Sequence, residues 1–161
     1  MKNLIVYFSL EGNTKFIAES MAEDIQCDVL ELVPEKKYST GRISKYFSGG
    51  KSIIFKQKPQ LINDRVEINS YKNLIIGTPV WCGTFAPPLH AFLLDNSIRY
   101  KNISFFACHG GGGAEKCFKN LMDELPDNNF IGEISFVEPL KKGREECSRK
   151  AKEWIKSIIK K

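Results

Sequence analysis

Six residues near the start of the chain, Ser9-Leu10-Glu11-Gly12-Asn13-Thr14, combine the types that can hold a phosphate group. They follow the apolar run Leu4-Ile5-Val6-Tyr7-Phe8 and precede a segment in which Ile17, Met21 and Ile25 recur at four-residue spacing. A short buried strand, a hydroxyl-rich loop with a glycine, and a helix start gather unpaired backbone N–H groups at one point, where the helix dipole also favours an anion. Ser9, Asn13 and Thr14 add side-chain donors, and Gly12 lets the backbone curl around a ligand. The same six residues are compatible with an ordinary strand-to-helix turn capped by Asn13 or Thr14.

Two further segments carry chemical signals. Gly77-Thr78-Pro79-Val80-Trp81-Cys82-Gly83-Thr84-Phe85-Ala86-Pro87-Pro88 reads as a shaped loop, because its prolines and glycines disfavour continuation as strand or helix. In such a loop Trp81 is exposed and offers a flat apolar face to a planar ligand; a tryptophan in the core is the alternative. Cys108-His109-Gly110-Gly111-Gly112-Gly113 would let main-chain groups approach a ligand closely. A flexible connection would look the same. A lone His109 reads more readily as a surface or capping histidine than as a catalytic base.

These segments need elements to position them, and the pattern supplies alternating strands and helices. Leu4 to Phe8 is a continuous apolar run of the kind a strand buried on both faces requires. Further strands are expected over Cys27 to Val33, stopped by Pro34; Asn73 to Ile76, ending at Gly77; Ile103 to Cys108; and Phe130 to Val137. Helices are expected around Ala91, Phe92 and Leu94 after the Pro-Pro start, along Phe118, Leu121, Met122 and Leu125, and from Ala151 through Trp154, Ile155 and Ile158 to Ile159. Strands joined by crossover helices imply a parallel sheet with helices on both faces, so the three loops open on one carboxyl edge.

The stretch between Pro34 and Asn63 breaks this rhythm. Ile43, Tyr46, Phe47 and Ile54 have helix-compatible spacing interrupted at Gly49-Gly50, and Lys36, Lys37, Arg42, Lys45, Lys51, Lys56 and Lys58 occur without an acidic residue among them. A solvated helix face and a binding patch for an acidic partner both fit.

Length and composition bound the rest. At 161 residues and 42% hydrophobic, one domain spanning 1–161 is expected. No apolar run approaches the ~20 residues of a membrane span, and the N-terminal run is too short for a signal peptide, so a soluble cytoplasmic protein is expected. Five cysteines without a C-x-x-C pair read as reduced thiols rather than a disulfide framework or metal site. A formal net charge of +5 favours anionic ligands or acidic partners without marking a nucleic-acid binder.

Taken together, the three loops make the chain resemble the flavodoxin-like family over nearly its whole length. Ser9 to Thr14 matches that family's phosphate loop, with Gly12-Asn13-Thr14 the specific part; Thr78 to Gly83 matches the first isoalloxazine loop, and Cys108 to Gly113 the position of the second. The resemblance implies an α/β three-layer sandwich on a five-stranded parallel sheet of order 2-1-3-4-5, with FMN as cofactor. It also implies that Ser9, Leu10, Glu11, Gly12, Asn13 and Thr14 hold the phosphate. Thr78, Pro79, Val80, Trp81, Cys82 and Gly83 would then border one side of the ring, and Cys108, His109, Gly110, Gly111, Gly112 and Gly113 the other. The implied activity is electron transfer through a non-covalent flavin, with a redox partner protein or NAD(P)H as the other party.

The chain departs from electron carriers of this family in two ways. Their surface is usually acidic and their last ring loop often carries a second aromatic, whereas this chain is basic and offers glycines and His109 there. A basic surround stabilises a reduced, anionic ring, and a glycine-lined face leaves room for a substrate. An NAD(P)H-dependent FMN or quinone reductase, or a flavin-binding sensor or interaction domain, is therefore the alternative. Other nucleotide classes lack their motifs. No Lys-Ser or Lys-Thr follows the glycine run, and no G-x-G-x-x-G follows the first strand. A receiver-type switch would need clustered acids where Glu11 stands nearly alone. A low-molecular-weight phosphatase would need an arginine where Pro88, Ala114 and Asp123 follow the cysteines.

Overall fold

The computed structural model describes residues 2–38 and 58–159. Strand β1 (Asn3–Tyr7) leads into helix α1 (Asn13–Ala22), then β2 (Asp28–Glu31), β3 (Asn73–Trp81), β4 (Thr84–Phe85) and α2 (Pro87–Asp95). After these come β5 (Asn102–His109), α3 (Ala114–Glu124), β6 (Asn129–Val137) and α4 (Arg144–Ile159). Five strands form a parallel sheet in the order β2-β1-β3-β5-β6, and the two-residue β4 folds back antiparallel onto the end of β3. Apart from that hairpin the order is the expected 2-1-3-4-5.

Strand alternation sorts the apolar side chains into two layers. Leu4, Val6, Leu74, Ile76, Ile103 and Phe105 face α2 and α3, where Leu89, Phe92, Phe118 and Leu121 meet them. Ile5, Tyr7, Ile75 and Phe106 face the opposite way, onto Ile17 and Met21 of α1 and Ile155 and Ile158 of α4. Both faces of β1 are thereby buried, as its uninterrupted apolar run requires.

Two strands differ from expectation by more than one residue at an end. β2 occupies only Asp28–Glu31, an edge strand whose Asp28 and Val29 are exposed. β3 does not end at Gly77 but runs on to Trp81. Gly77 is a packing glycine: it lies opposite Phe106 on β5, and a Cβ there would come within 2.0 Å of the Phe106 ring. Pro79 is tolerated within β3 because pairing with β1 stops at Gly77, leaving an open flank where a missing N–H breaks no ladder.

The amino edge of the sheet is sealed by side chains. Asn3, Asn73, Asn102 and Asn129 lie in register on four neighbouring strands. Each donates its amide to the next: Asn129 to Asn102 at 3.0 Å, Asn102 to Asn73 at 2.9 Å, Asn73 to Asn3 at 2.8 Å, and Asn3 to the Gln26 carbonyl at 2.8 Å.

The chain leaves the sheet after β2 and returns beside its own exit. Pro34 bridges Leu61, Glu35 N–H donates to Gln60, and Ile62 N–H donates to Val33. The interrupted helix expected around Ile43 to Ile54 lies outside the described residues, as do Arg42, Lys45, Lys51 and Lys56. Lys36 and Lys37 are exposed, and Lys58 pairs with Asp95.

Candidate functional site

Connections at the carboxyl edge of β1, β3, β5 and β6 surround a cavity of about 190 Å³, at the place where the strand order reverses. The first connection contributes Ser9, Leu10, Glu11, Asn13 and Thr14 to its wall. Gly12, with φ 92°, turns the chain into α1 as the residue before the helix, without a side-chain cap. The capping role open to Asn13 or Thr14 is thus not used. Phe16 makes the first helical bond, to the Gly12 carbonyl. Among the described residues, no backbone N–H from Ser9 to Lys15 donates a hydrogen bond to protein. Ser9 Oγ is buried and equally without a partner. Free N–H groups are usual at a helix start; beside a buried serine hydroxyl that also lacks a partner, they are donors able to hold an anion.

The other side chains of this loop have structural duties. Asn13 Oδ1 accepts from Leu140 N–H at 3.1 Å, clipping the β6–α4 connection onto the β1–α1 loop, while its NH2 group donates to no described residue. Thr14 is 1% exposed and hydrogen-bonds the Cys108 thiol, which burial pushes up to about 12 and so keeps neutral. Glu31 at the end of β2 accepts from Tyr7 Oη at 3.1 Å and from Lys15 Nζ at 2.9 Å, tying β2 to the first turn of α1. Burial and the Glu31 carboxylate hold the Tyr7 phenol well above its ordinary range.

The second segment is a hairpin rather than an irregular loop. Trp81 and Thr84 pair across Cys82 and Gly83, whose φ values of 51° and 74° define the tight turn that suits twisted strands. Pro79, Val80 and Trp81 line the cavity as strand residues. Trp81 is not the exposed plate expected: it is 7% exposed, and its ring meets Phe8 and Tyr38 edge-to-face at centroid distances of 5.7 and 5.5 Å. The strand continuation explains this, because it carries the indole back over the core instead of releasing it into a loop. Thr78 is fully buried; its hydroxyl accepts from Ala86 N–H at 3.0 Å and donates to the Pro79 carbonyl at 2.9 Å, pinning the hairpin. Cys82 is exposed at the tip and, with Gly83, lies off the cavity wall.

From the third segment, Cys108, His109 and Gly110 reach the cavity, whereas Gly111, Gly112 and Gly113 do not. Gly113, at φ 84°, precedes α3 and packs against the hairpin: a Cβ there would lie 3.1 Å from Gly83 Cα. Around Gly110, Gly111 and Gly112 an added Cβ would meet nothing within 4 Å. His109 Nδ1 is buried without a partner, and burial lowers the imidazole's proton affinity.

Sequence reasoning missed one residue of the cavity wall and two that pack beside it. Glu138, just past β6, lines the cavity at φ 39°, and its backbone N–H donates to the His109 carbonyl at 3.0 Å. Its carboxylate bridges Lys141 and Lys142, which hold it below the usual carboxylate range. Leu140 sits over Gly12, and Tyr38 completes the aromatic cluster. Among the described residues no His, Cys, Asp or Glu cluster suits a metal ion, and no helix is long and apolar enough to cross a membrane.

An open, parallel α/β sheet with free backbone donors at the helix start after its first strand is the architecture of a class of nucleotide- and flavin-binding proteins. Within it, the sequence model of the flavodoxin family matches residues 2–157, and the chain belongs to that family. Among solved structures it is similar to a provisionally named flavoprotein of Bacteroides uniformis ATCC 8492, at 24% identity over 96% of this chain and 97% of that one, TM-score 0.82. It is also similar to a flavoprotein of Lactobacillus acidophilus NCFM in complex with FMN, at 23% identity over 89% and 99%, TM-score 0.68. A third is the oxidised flavodoxin 2 of Bacillus cereus, at 19% identity over 99% of each chain, TM-score 0.62. At these identities the likeness establishes the fold.

Proposed function

We propose that this protein binds FMN non-covalently at the carboxyl edge of its sheet and acts as a flavodoxin-type electron carrier. The observation that carries the reading is the cradle: successive backbone N–H groups from Ser9 to Lys15 and the buried Ser9 hydroxyl, all lacking protein partners among the described residues, at the start of α1. These donors fit a phosphate ester and need no basic side chain. FMN, when bound, supplies one- or two-electron chemistry that no side chain here can perform. The chain's part is to hold the phosphate with 9–15 and to border the ring with Pro79 to Trp81 and with Gly110. The FMN of the Lactobacillus acidophilus relative supports the choice of ligand.

One observation favours a second reading. The space around Gly110, Gly111 and Gly112 is open, and a ring face left uncovered there would admit a nicotinamide or quinone. An NAD(P)H-dependent reductase is then the alternative. Anaerobic mixing of the FMN-loaded protein with NADH or NADPH separates the two. A carrier stays oxidised until a protein donor or a chemical reductant is added, and rapid bleaching of the flavin band by either nucleotide would establish the reductase.

A further inference from the structure

Four buried side-chain polar atoms lack a partner among the described residues: Ser9 Oγ, His90 Nδ1, Ser104 Oγ and His109 Nδ1. Ser9 and His109 line the same cavity. The cradle explains the serine, but it does not need a histidine. His109 Nδ1 is enclosed by protein without a partner, so nothing within the chain stabilises a charge on the ring from that side. The backbone is also fixed, since His109 ends β5 opposite Val137 of β6 and its carbonyl accepts from Glu138 N–H at 3.0 Å.

The charges around the imidazole leave it without a counter-ion. On its own strand the Cys108 thiol is neutral, and Cys147 of α4 lies behind it. From the β6–α4 connection Glu138 lines the cavity, but Lys141 at 3.2 Å and Lys142 at 2.9 Å already neutralise its carboxylate. From the phosphate loop comes Glu11, which is exposed, and at the start of α3 Glu115 and Lys116 are of opposite sign. No carboxylate among the described residues hydrogen-bonds the ring.

We infer that His109 couples occupation of the cavity to uptake of a proton: with an anionic phosphate ester in the cavity it lines, its imidazole becomes the charged partner. The inference rests on the cradle reading and extends it, because a cradle of backbone N–H groups contains no titrating member. An anion brought into the same small cavity favours the imidazolium, so one proton passes from solvent to the ring and no covalent bond changes. Linkage is reciprocal: whatever factor the ligand adds to the proton affinity, the proton adds to the ligand affinity.

The chain has two histidines, His90 and His109, which makes the test direct. The imidazole resonances are titrated by NMR from pH 5 to 9 without ligand, with FMN, and with riboflavin, which lacks the phosphate. They are assigned by subtraction in His109→Gln or, should that variant not fold, in His90→Gln. Without ligand His109 titrates below the ordinary histidine range, FMN moves it up by about one pH unit or more, a tenfold change in proton affinity, and riboflavin does not. Calorimetry in buffers of different ionisation enthalpy reads the same proton as uptake on FMN binding that His109→Gln removes. FMN bound with the His109 titration unmoved, or moved equally by riboflavin, overturns the inference while leaving the cradle intact. Failure of FMN to bind overturns both.

Discussion

The two edges of this sheet are built from the same strands and treated in opposite ways. At the amino edge, four asparagines in register exchange amide hydrogen bonds across β1, β3, β5 and β6, and Asn3 passes the last donor to Gln26. At the carboxyl edge, Ser9 Oγ and His109 Nδ1 are buried and unpaired, and Gly12, Cys82, Gly83, Gly113 and Glu138 adopt positive φ. Polar groups saturated by one another fix register and contribute to stability. Polar groups left idle, on backbone held in sparsely populated conformations, reserve their binding capacity for something outside the chain. On the proposed function, the difference separates the end of the sheet that specifies the fold from the end that specifies the ligand.

The contrast can be broken first at Trp81, the residue that belongs to both roles. Because its ring is packed against Phe8 and Tyr38 as well as lining the cavity, Trp81→Ala is expected to lose about 3–5 kcal/mol of folding stability in urea denaturation. A loss below about 1 kcal/mol would mean that the indole serves the ligand alone. Next comes the amino edge. Asn73→Ala removes two ladder bonds and leaves the Asn102 amide and the Asn3 carbonyl oxygen without partners, for an expected loss of about 1–3 kcal/mol. FMN affinity of the folded fraction should stay unchanged, since the ladder lies at the far edge; a ligand effect from Asn73→Ala would show that the two edges are not independent.

A smaller effect is expected from pH. Burial lowers the proton affinity of His109 in the ligand-free fold, so between its folded and unfolded titrations the unfolded chain binds the extra proton. Stability should therefore be fully present above about pH 6.5, the unfolded histidine value, and decline as pH falls below it. His109→Gln should flatten that part of the curve. The carboxyls of Glu138, Glu146 and Asp24, each held low by neighbouring lysines, act in the same direction only at more acidic pH. A curve identical in wild type and His109→Gln between pH 7 and 5 would remove the imidazole from the account.

Local signals made much of this molecule legible. The apolar run of β1, the turn residues that follow it and the four-residue spacing of α1 all lie within 22 residues, and together they located the strand, the turn and the helix start. What was misread depended on residues distant in sequence. Gly77 looks like a strand terminator until Phe106 is found against it, and Trp81 looks like a loop residue until Phe8 and Tyr38 close around it. Glu138 and Leu140 carry no motif; His109 captures the backbone of the first, which lines the cavity, and Asn13 that of the second, which lies over Gly12. The asparagine ladder had a readable trace, an asparagine at the start of β1, β3, β5 and β6 alike, but single asparagines at strand starts pass as turn residues.

The central claim is that the idle donors of residues 9–15 hold the phosphate of FMN. Parallel titrations of the purified protein with FMN and with riboflavin, followed by quenching of flavin fluorescence, test it most directly. FMN should bind about one to one, with riboflavin weaker by roughly 1–3 kcal/mol or more for the charge-assisted hydrogen bonds it cannot make. Equal affinity for the two flavins would contradict the account.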